Sequence, residues 1–167
     1  QEEFTTDSEA ADMNGDGAID LVTPDGCSLG ALKVSLNGGN GTSWTTNTVG
    51  TIPGHCLKDV EVADFDGNGR NDIAVRYDSV VIYYQTAAGV YTPTTIAGSA
   101  NGAEGMDSAD IDSDGDTDII VQGAWLANPG TISTSWTQYS IGSADAAFRA
   151  TAADFNADGK MDVAYSC

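Results

Sequence analysis

The chain has 167 residues, of which 25 are acidic and 6 are Lys or Arg, so its formal net charge is −19 at pH 7. This balance argues against nucleic acid and anionic membrane surfaces as partners, because both are bound through basic side chains. The sequence also contains no apolar run near the ~20 residues that a membrane-spanning helix needs.

The first repeated element is a nine-residue segment rich in acidic side chains, Asp-Met-Asn-Gly-Asp-Gly-Ala-Ile-Asp at 12–20. An apolar pair follows it directly. Further along, Leu32, Val34 and Leu36 alternate with polar residues, which predicts a half-buried strand. Residues 44–49 are predicted as the next strand.

The same segment returns at 64–72, 110–118 and 154–162, with starts 52, 46 and 44 residues apart. Short runs of β-branched and aromatic residues separate the copies, and turn signals such as the Asn-Pro-Gly at 128–130 interrupt them. We predict further strands at 58–63, 72–77, 80–84, 91–97, 124–126, 135–141, 148–153 and 162–166.

This arrangement predicts an all-β fold. Four short strands in each 44–52 residues is the size of one β-propeller blade. We therefore predict a single repeat array over 1–167 with about three and a half four-stranded blades, each carrying its acidic segment between the first and second strands. The expected blades are at about 8–50, 57–98 and 103–142, with a partial fourth blade at about 147–167.

The acidic segments, here called Asp loops 1 to 4, have the pattern of a site for a hard cation. Positions 1, 3 and 5 carry side-chain oxygens, position 7 can offer its backbone carbonyl, and Asp at position 9 completes the set. Gly at position 6 permits the sharp turn. One such loop would be explained by an ordinary Asx turn, whereas four copies in register favour metal binding. A flexible all-oxygen site suits Ca²⁺ better than Mg²⁺ or a transition metal.

The loops do not fit a helix–loop–helix calcium site. Such a site requires Glu at loop position 12, whereas this chain has Thr23, Val75, Val121 and Tyr165 there. The segments that follow the loops are short and β-branched rather than helical. EF-hands and the related dockerin modules are therefore excluded.

The loops with their apolar pairs resemble VCBS/FG-GAP-type repeats, and so does the segment 125–130 followed by Trp136 and Ile141. The resemblance implies calcium-binding propeller blades, as in integrin-alpha-like ectodomains, fungal lectins and ancillary modules of secreted polysaccharide-degrading enzymes. It implies up to four Ca²⁺ ions. The implied ligands, with position 7 acting through its carbonyl, are Asp12, Asn14, Asp16, Ala18, Asp20, Asp64, Asp66, Asn68, Arg70, Asp72, Asp110, Asp112, Asp114, Asp116, Asp118, Asp154, Asn156, Asp158, Lys160 and Asp162.

From this resemblance we expect an extracellular protein, secreted or at the cell surface, with a structural or adhesive role that includes being a subunit of a fibre. The alternatives are a carbohydrate-binding module and a fragment of a secreted polysaccharide lyase or glycosidase. No catalytic constellation is recognised, and the lone His55 has no nucleophile motif beside it. Expected partners are further copies of the chain or further blades of a longer chain, and glycans.

Three cysteines are present, at 27, 56 and 167. In an oxidising extracellular setting we predict a disulfide between Cys27 and Cys56. By repeat analogy, Cys167 is expected to have a partner in a following blade, with a buried free thiol as the alternative. The N-terminal residues 1–7 are expected to pair with the incomplete fourth blade of a neighbouring molecule.

Two further features bear on glycans. Asn40 begins an Asn-Gly-Thr sequon in a Gly-rich turn and is a candidate for glycosylation. Trp44, Trp125 and Trp136 are predicted either to pack in the core or rim of the blades or to offer flat faces to sugars.

Overall fold

The computed structural model describes residues 7–27, 29–97, 105–121, 123–142 and 149–166. Within these ranges the chain forms strands and turns without a helix, which confirms the all-β prediction. No helix of the described ranges is therefore long and apolar enough to cross a membrane. The strands are β1 (Glu9–Ala11), β2 (Asp20–Pro24), β3 (Ala31–Asn37), β4 (Trp44–Thr51), β5 (Asp59–Ala63), β6 (Asp72–Arg76), β7 (Val80–Ala87), β8 (Val90–Ala97), β9 (Met106–Ala109), β10 (Asp118–Val121), β11 (Ala124–Ala127), β12 (Thr137–Ser140), β13 (Arg149–Ala153) and β14 (Asp162–Ser166).

The strands pair in sequence order, as expected when short connections join antiparallel neighbours. Sheet 1 is β1–β4, sheet 2 is β5–β8, sheet 3 is β9–β12, and sheet 4 contains β13 and β14. The predicted four-stranded antiparallel sheets are thus confirmed, while their arrangement as propeller blades stays a prediction. The blade limits at 98, 103 and 147, the start of the strand at 148, the pairing segment 1–6 and Cys167 lie outside the described residues.

All four sheets share one register at their Asp loops. In each, the alanine before the loop pairs with the aspartate that ends it. The loop is therefore the connection of the hairpin formed by the first two strands. The pairs are Ala11 with Asp20, Ala63 with Asp72, Ala109 with Asp118, and Ala153 with Asp162.

The core lies between the sheets, in two clusters. The first joins sheets 1 and 2 through Met13, Val22, Leu32, Val34, Leu57, Val60, Ile73, Val75, Val81 and Tyr83. The second joins sheets 2 and 3 through Phe65, Ala74, Val80, Ile82, Tyr84, Ile96, Met106, Ile119, Val121, Leu126 and Trp136. Because sheet 2 is covered on both faces, all five residues of β6 are buried.

A disulfide between Cys27 and Cys56 joins the turn after β2 to the segment before β5 and so connects sheets 1 and 2. This confirms the predicted pair. Gly30, three residues after Cys27, has φ of +61°, and a Cβ there would clash with the Ile52 carbonyl. Closing a loop of this length restricts the unfolded chain enough to stabilise the fold by about 3–4 kcal/mol.

The three tryptophans have different surroundings. Trp136 is buried and meets Phe65 edge-to-face, with ring centroids 6.2 Å apart. Trp125 stacks on Tyr139 at 4.7 Å, and Tyr139 is half exposed. Trp44 is exposed on β4 and donates its Nε1–H to the carbonyl of Gly41. Of the three tryptophans, only Trp136 is thus a core residue, which agrees with the first alternative, packing in the blades.

Candidate metal centres

The aspartate at position 1 folds each Asp loop around its own carboxylate. In loop 1, Asp12 Oδ1 accepts the N–H of Gly15 at 2.7 Å, and Asp12 Oδ2 accepts the N–H of Gly17 at 2.8 Å. The bond from position 6 recurs in the other three loops at 2.7–3.1 Å. The glycine N–H bond therefore holds the position 1 carboxylate towards the interior of every loop.

The aspartate at position 9 joins its loop to the third strand of the same sheet. Asp72 Oδ2 accepts the N–H of Phe65 at 2.9 Å, and Asp72 Oδ1 accepts the N–H of Gln85 at 2.6 Å. Asp20 and Asp118 make the corresponding pairs of bonds. All three side chains are fully buried. The sequence pattern assigned position 9 to the metal alone, and it missed this second role.

Burial changes the ionisation of two of these carboxyls, those of Asp72 and Asp118. Desolvation raises the pKa of Asp72 to about 6, against the opposing effect of the Gln85 and Phe65 N–H groups. Burial likewise raises the pKa of Asp118. In contrast, the N–H bonds of the loop, that of Gly17 first, lower the pKa of Asp12. A cation bound beside Asp72 or Asp118 would stabilise the charged form of the carboxyl, which burial disfavours.

Positions 1, 3 and 9 come together where all three are aspartate. Carboxylate oxygens of Asp64, Asp66 and Asp72 lie within 4.8 Å of one another. The same holds for the equivalent set in loop 3, which is Asp110, Asp112 and Asp118. An all-oxygen, anionic donor set of this kind fits Ca²⁺. In loops 1 and 4 position 3 is Asn14 or Asn156, and its Oδ1 accepts the N–H of position 5.

Position 5 has a local partner in every loop. Its Oδ1 accepts the N–H of position 7 at 2.8–2.9 Å, for example from Ala18 to Asp16 and from Asp116 to Asp114. Asp114 lies outside the group formed by Asp110, Asp112 and Asp118. The remaining bonds of this type run from Arg70 to Asn68 and from Lys160 to Asp158. Ligand roles for the position 5 side chains and the position 7 carbonyls stay predictions.

The backbone turns left-handed twice in each loop. Position 6 is glycine in all four copies, with φ between +82° and +98°, as the sequence predicts. Position 4 also has positive φ, and there Ser113 and Ala157 take values of +63° and +60°. Side chains with a Cβ rarely adopt this conformation. Gly15 and Gly67 at position 4 of the first two loops were the available signal for this turn.

An amide side chain at the end of the third strand links neighbouring loops. Gln85 Nε2 donates to the carbonyl of Asn71 in its own loop and to that of Met13 in the preceding loop, at 3.0 and 3.1 Å. Asn128 Nδ2 donates in the same way, at 3.0 Å to Thr117 and at 2.9 Å to Phe65. The loops are therefore built into the contacts between sheets.

Part of the chain matches a known protein family. Residues 12–75 match the family model of the FG-GAP-like repeat. This segment is similar to FG-GAP-like repeats, and it is called the FG-GAP-like region below. It contains loops 1 and 2, the strands from β2 to β5 and most of β6, and the resemblance stated from the sequence is confirmed for it. No curated protein matches the chain.

Outside the FG-GAP-like region, loops 3 and 4 repeat the bonds made by positions 1, 5 and 9. Within the region, Asn40 is exposed in the β3–β4 turn, and its Oδ1 accepts the N–H and the hydroxyl of Thr42, both at 2.9 Å. Its glycosylation stays a prediction. His55 Nδ1 lies 3.0 Å from Asp78 Oδ2, and its ring meets Tyr77 edge-to-face.

Proposed function

We propose that this chain is an extracellular repeat protein whose fold is stabilised by calcium in the Asp loops and whose role is structural or adhesive. The observation that supports it most is the convergence of three carboxylates, from positions 1, 3 and 9, in each of loops 2 and 3. One of the three is buried in each case, so ion binding and sheet packing involve the same side chain.

Bound Ca²⁺ would supply positive charge to the loops, whose own basic side chains are too few to balance their carboxylates. With up to four ions, the magnitude of the net charge of −19 falls by eight. The loop residues orient the carboxylates through backbone N–H groups. The position 9 aspartate accepts a hydrogen bond from the end of the third strand. The amide side chain there donates to the neighbouring loop, so the loops are connected through hydrogen bonds. Calcium binding is thereby coupled to folding.

The extracellular setting is supported by two features. The chain contains a disulfide, which persists in oxidising compartments. FG-GAP-like repeats are typical of extracellular proteins, and weak oxygen-only sites are filled where calcium is abundant.

Calorimetric titration of metal-free protein with CaCl2 tests the calcium assignment. We expect up to four sites with Ca²⁺ and much weaker binding with MgCl2. Asp66→Asn should remove or weaken one site, whereas Asp78→Asn, which changes an exposed carboxyl outside the loops, should leave the number of sites unchanged. No heat of binding with wild-type protein would overturn the proposal.

A carbohydrate-binding role is a second candidate, supported by one exposed feature. The stacked pair of Trp125 and Tyr139 on β11 and β12 presents aromatic surface of the kind that pyranose rings cover. A cavity of about 320 Å³ between sheets 1 and 2, lined by Met13, Val34 and Tyr91 among others, could hold one small sugar. Glycan-array binding that Tyr139→Ala abolishes would favour this role over a purely structural one.

A further inference from the structure

The two contacts between complete sheets share three parts. Position 2 of a loop contributes an apolar side chain that the next sheet buries, as with Met13 at 3 % exposure and Phe65 at 0 %. The first residue after the next loop, here called position 10, is buried from the other side, and Ile73 and Ile119 are both at 0 %. The third-strand amide of the next sheet then bonds to the position 2 carbonyl.

The outer sheets present the same parts uncovered. Phe155, at position 2 of loop 4, is 59 % exposed, although its counterpart Phe65 is fully buried. Leu21, at position 10 of loop 1, is 41 % exposed, although its counterparts in sheets 2 and 3 are fully buried. We call Phe155 and its carbonyl the trailing face, and Leu21, Ile19 and Asn37 the leading face.

Asn37 completes the correspondence. Its Nδ2 donates to the carbonyl of Ile19 at position 8 of its own loop, at 3.2 Å. Asn128 makes the same bond to Thr117 and also reaches the Phe65 carbonyl in the preceding loop. In the described part of the chain no sheet lies before sheet 1, so Asn37 has the position of the linking amide without a preceding loop.

We propose that the trailing face of sheet 4 in one molecule binds the leading face of sheet 1 in a second copy. The contact continues the one seen between sheets 2 and 3, with Phe155 against Leu21 and Asn37 donating to the Phe155 carbonyl. This inference deepens the proposed structural role and rests on it, because loop 4 must be folded to present Phe155. The contact joins unlike faces, so repetition gives either a closed ring or an open filament.

Each face can be blocked without disturbing the core, because both apolar residues are exposed. In calcium-containing buffer, light scattering after size exclusion should give wild-type masses at multiples of 17.2 kDa. Phe155→Asp and Leu21→Asp should each weaken association at least tenfold, with melting temperatures close to that of wild type. Val90→Asp, at a 54 % exposed apolar residue of β8 outside both faces, should associate as wild type does.

Mixing the two variants makes the test specific to unlike faces. Phe155→Asp retains a good leading face and Leu21→Asp a good trailing face, so the mixture should form dimers and nothing larger. Wild type that stays monomeric, a Phe155→Asp variant that assembles normally, or a mixture without dimers would each overturn the inference. An unchanged wild-type melting temperature in chelator, together with assembly, would instead count against the proposed calcium role alone.

Discussion

Asn128 of sheet 3 donates a hydrogen bond from Nδ2 to the carbonyl of Phe65 in loop 2, across 2.9 Å. The two residues are 63 positions apart in the chain, and both are buried. Since the same amide also bonds to its own loop, one side chain joins two Asp loops and two sheets. The loops are therefore structural joints of the array as well as candidate ion sites.

Asn128→Ala should destabilise the fold by about 1–3 kcal/mol, because it leaves the buried carbonyl of Phe65 and the partly buried carbonyl of Thr117 without this donor. The free energy of unfolding in urea measures the loss. Asn47→Ala removes an exposed amide and should stay within about 0.5 kcal/mol of wild type. Equal effects of the two substitutions would contradict the joint role of Asn128.

Replacing Ala157 by glycine should stabilise the protein by about 1 kcal/mol, since position 4 has φ of +60° and an L side chain is unfavourable there. Ala18→Gly, at position 7 of loop 1, should do the opposite, because glycine there only adds freedom to the unfolded chain. Thermal unfolding of both variants compares the signs. A destabilised Ala157→Gly variant would show that the loop backbone is different.

Stability should fall as pH rises through neutrality because of one carboxyl on β5. Burial raises the pKa of Glu61 to about 8 from an ordinary 4.5, and the carboxyls of Asp107, Glu9 and Asp59 add to the rise. The folded state therefore binds this proton more tightly than the unfolded state, so its contribution is complete below about pH 4.5 and is lost towards pH 8. Ser108 Oγ donates to Glu61 Oε2 at 2.9 Å and limits the shift.

Glu61→Gln should remove this dependence, giving a variant more stable than wild type at pH 8.5 and little changed at pH 5. Melting temperatures in saturating calcium measure it. Parallel curves for Glu61→Gln and wild type would contradict the assignment.

Calcium affinity should follow the number of carboxylates at positions 1, 3, 5 and 9. Loop 3 has four and loop 1 has three with Asn14, so loop 3 should fill first. Asp112→Asn gives loop 3 the side chains of loop 1 at these positions and should weaken its site, whereas Asn14→Asp should strengthen the site in loop 1. Titrations that rank the variants in the reverse order would refute the dependence on charge.

The repeat period in the sequence predicted most of the fold. Four loops in one register predicted the strands on either side of each, and the alternation at Leu32, Val34 and Leu36 predicted the strand seen as β3. The period worked because each unit must bury the same faces against its neighbours. The disulfide between Cys27 and Cys56 followed from the expected compartment.

The links between units were not visible in the sequence. The amides at 37, 85 and 128 follow their loops by 17, 13 and 10 residues, so unequal turns hide their equivalence. The positive φ of Ser113 and Ala157 is hidden by residue types that do not suggest it. The burial of Asp72 comes from sheets on both sides of β6, which no local pattern reports.

The central claim is that calcium in the Asp loops stabilises this array, and thermal unfolding with and without metal tests it most directly. Circular dichroism melts should be recorded on one protein stock in excess CaCl2, in excess EDTA, and after CaCl2 is restored in excess over EDTA. In EDTA we expect a sharp fall in melting temperature, or an unfolded chain, because the like charges in the loops lose their counter-ions. We expect full recovery when calcium returns. A melting temperature that is the same in EDTA and in calcium would contradict the account.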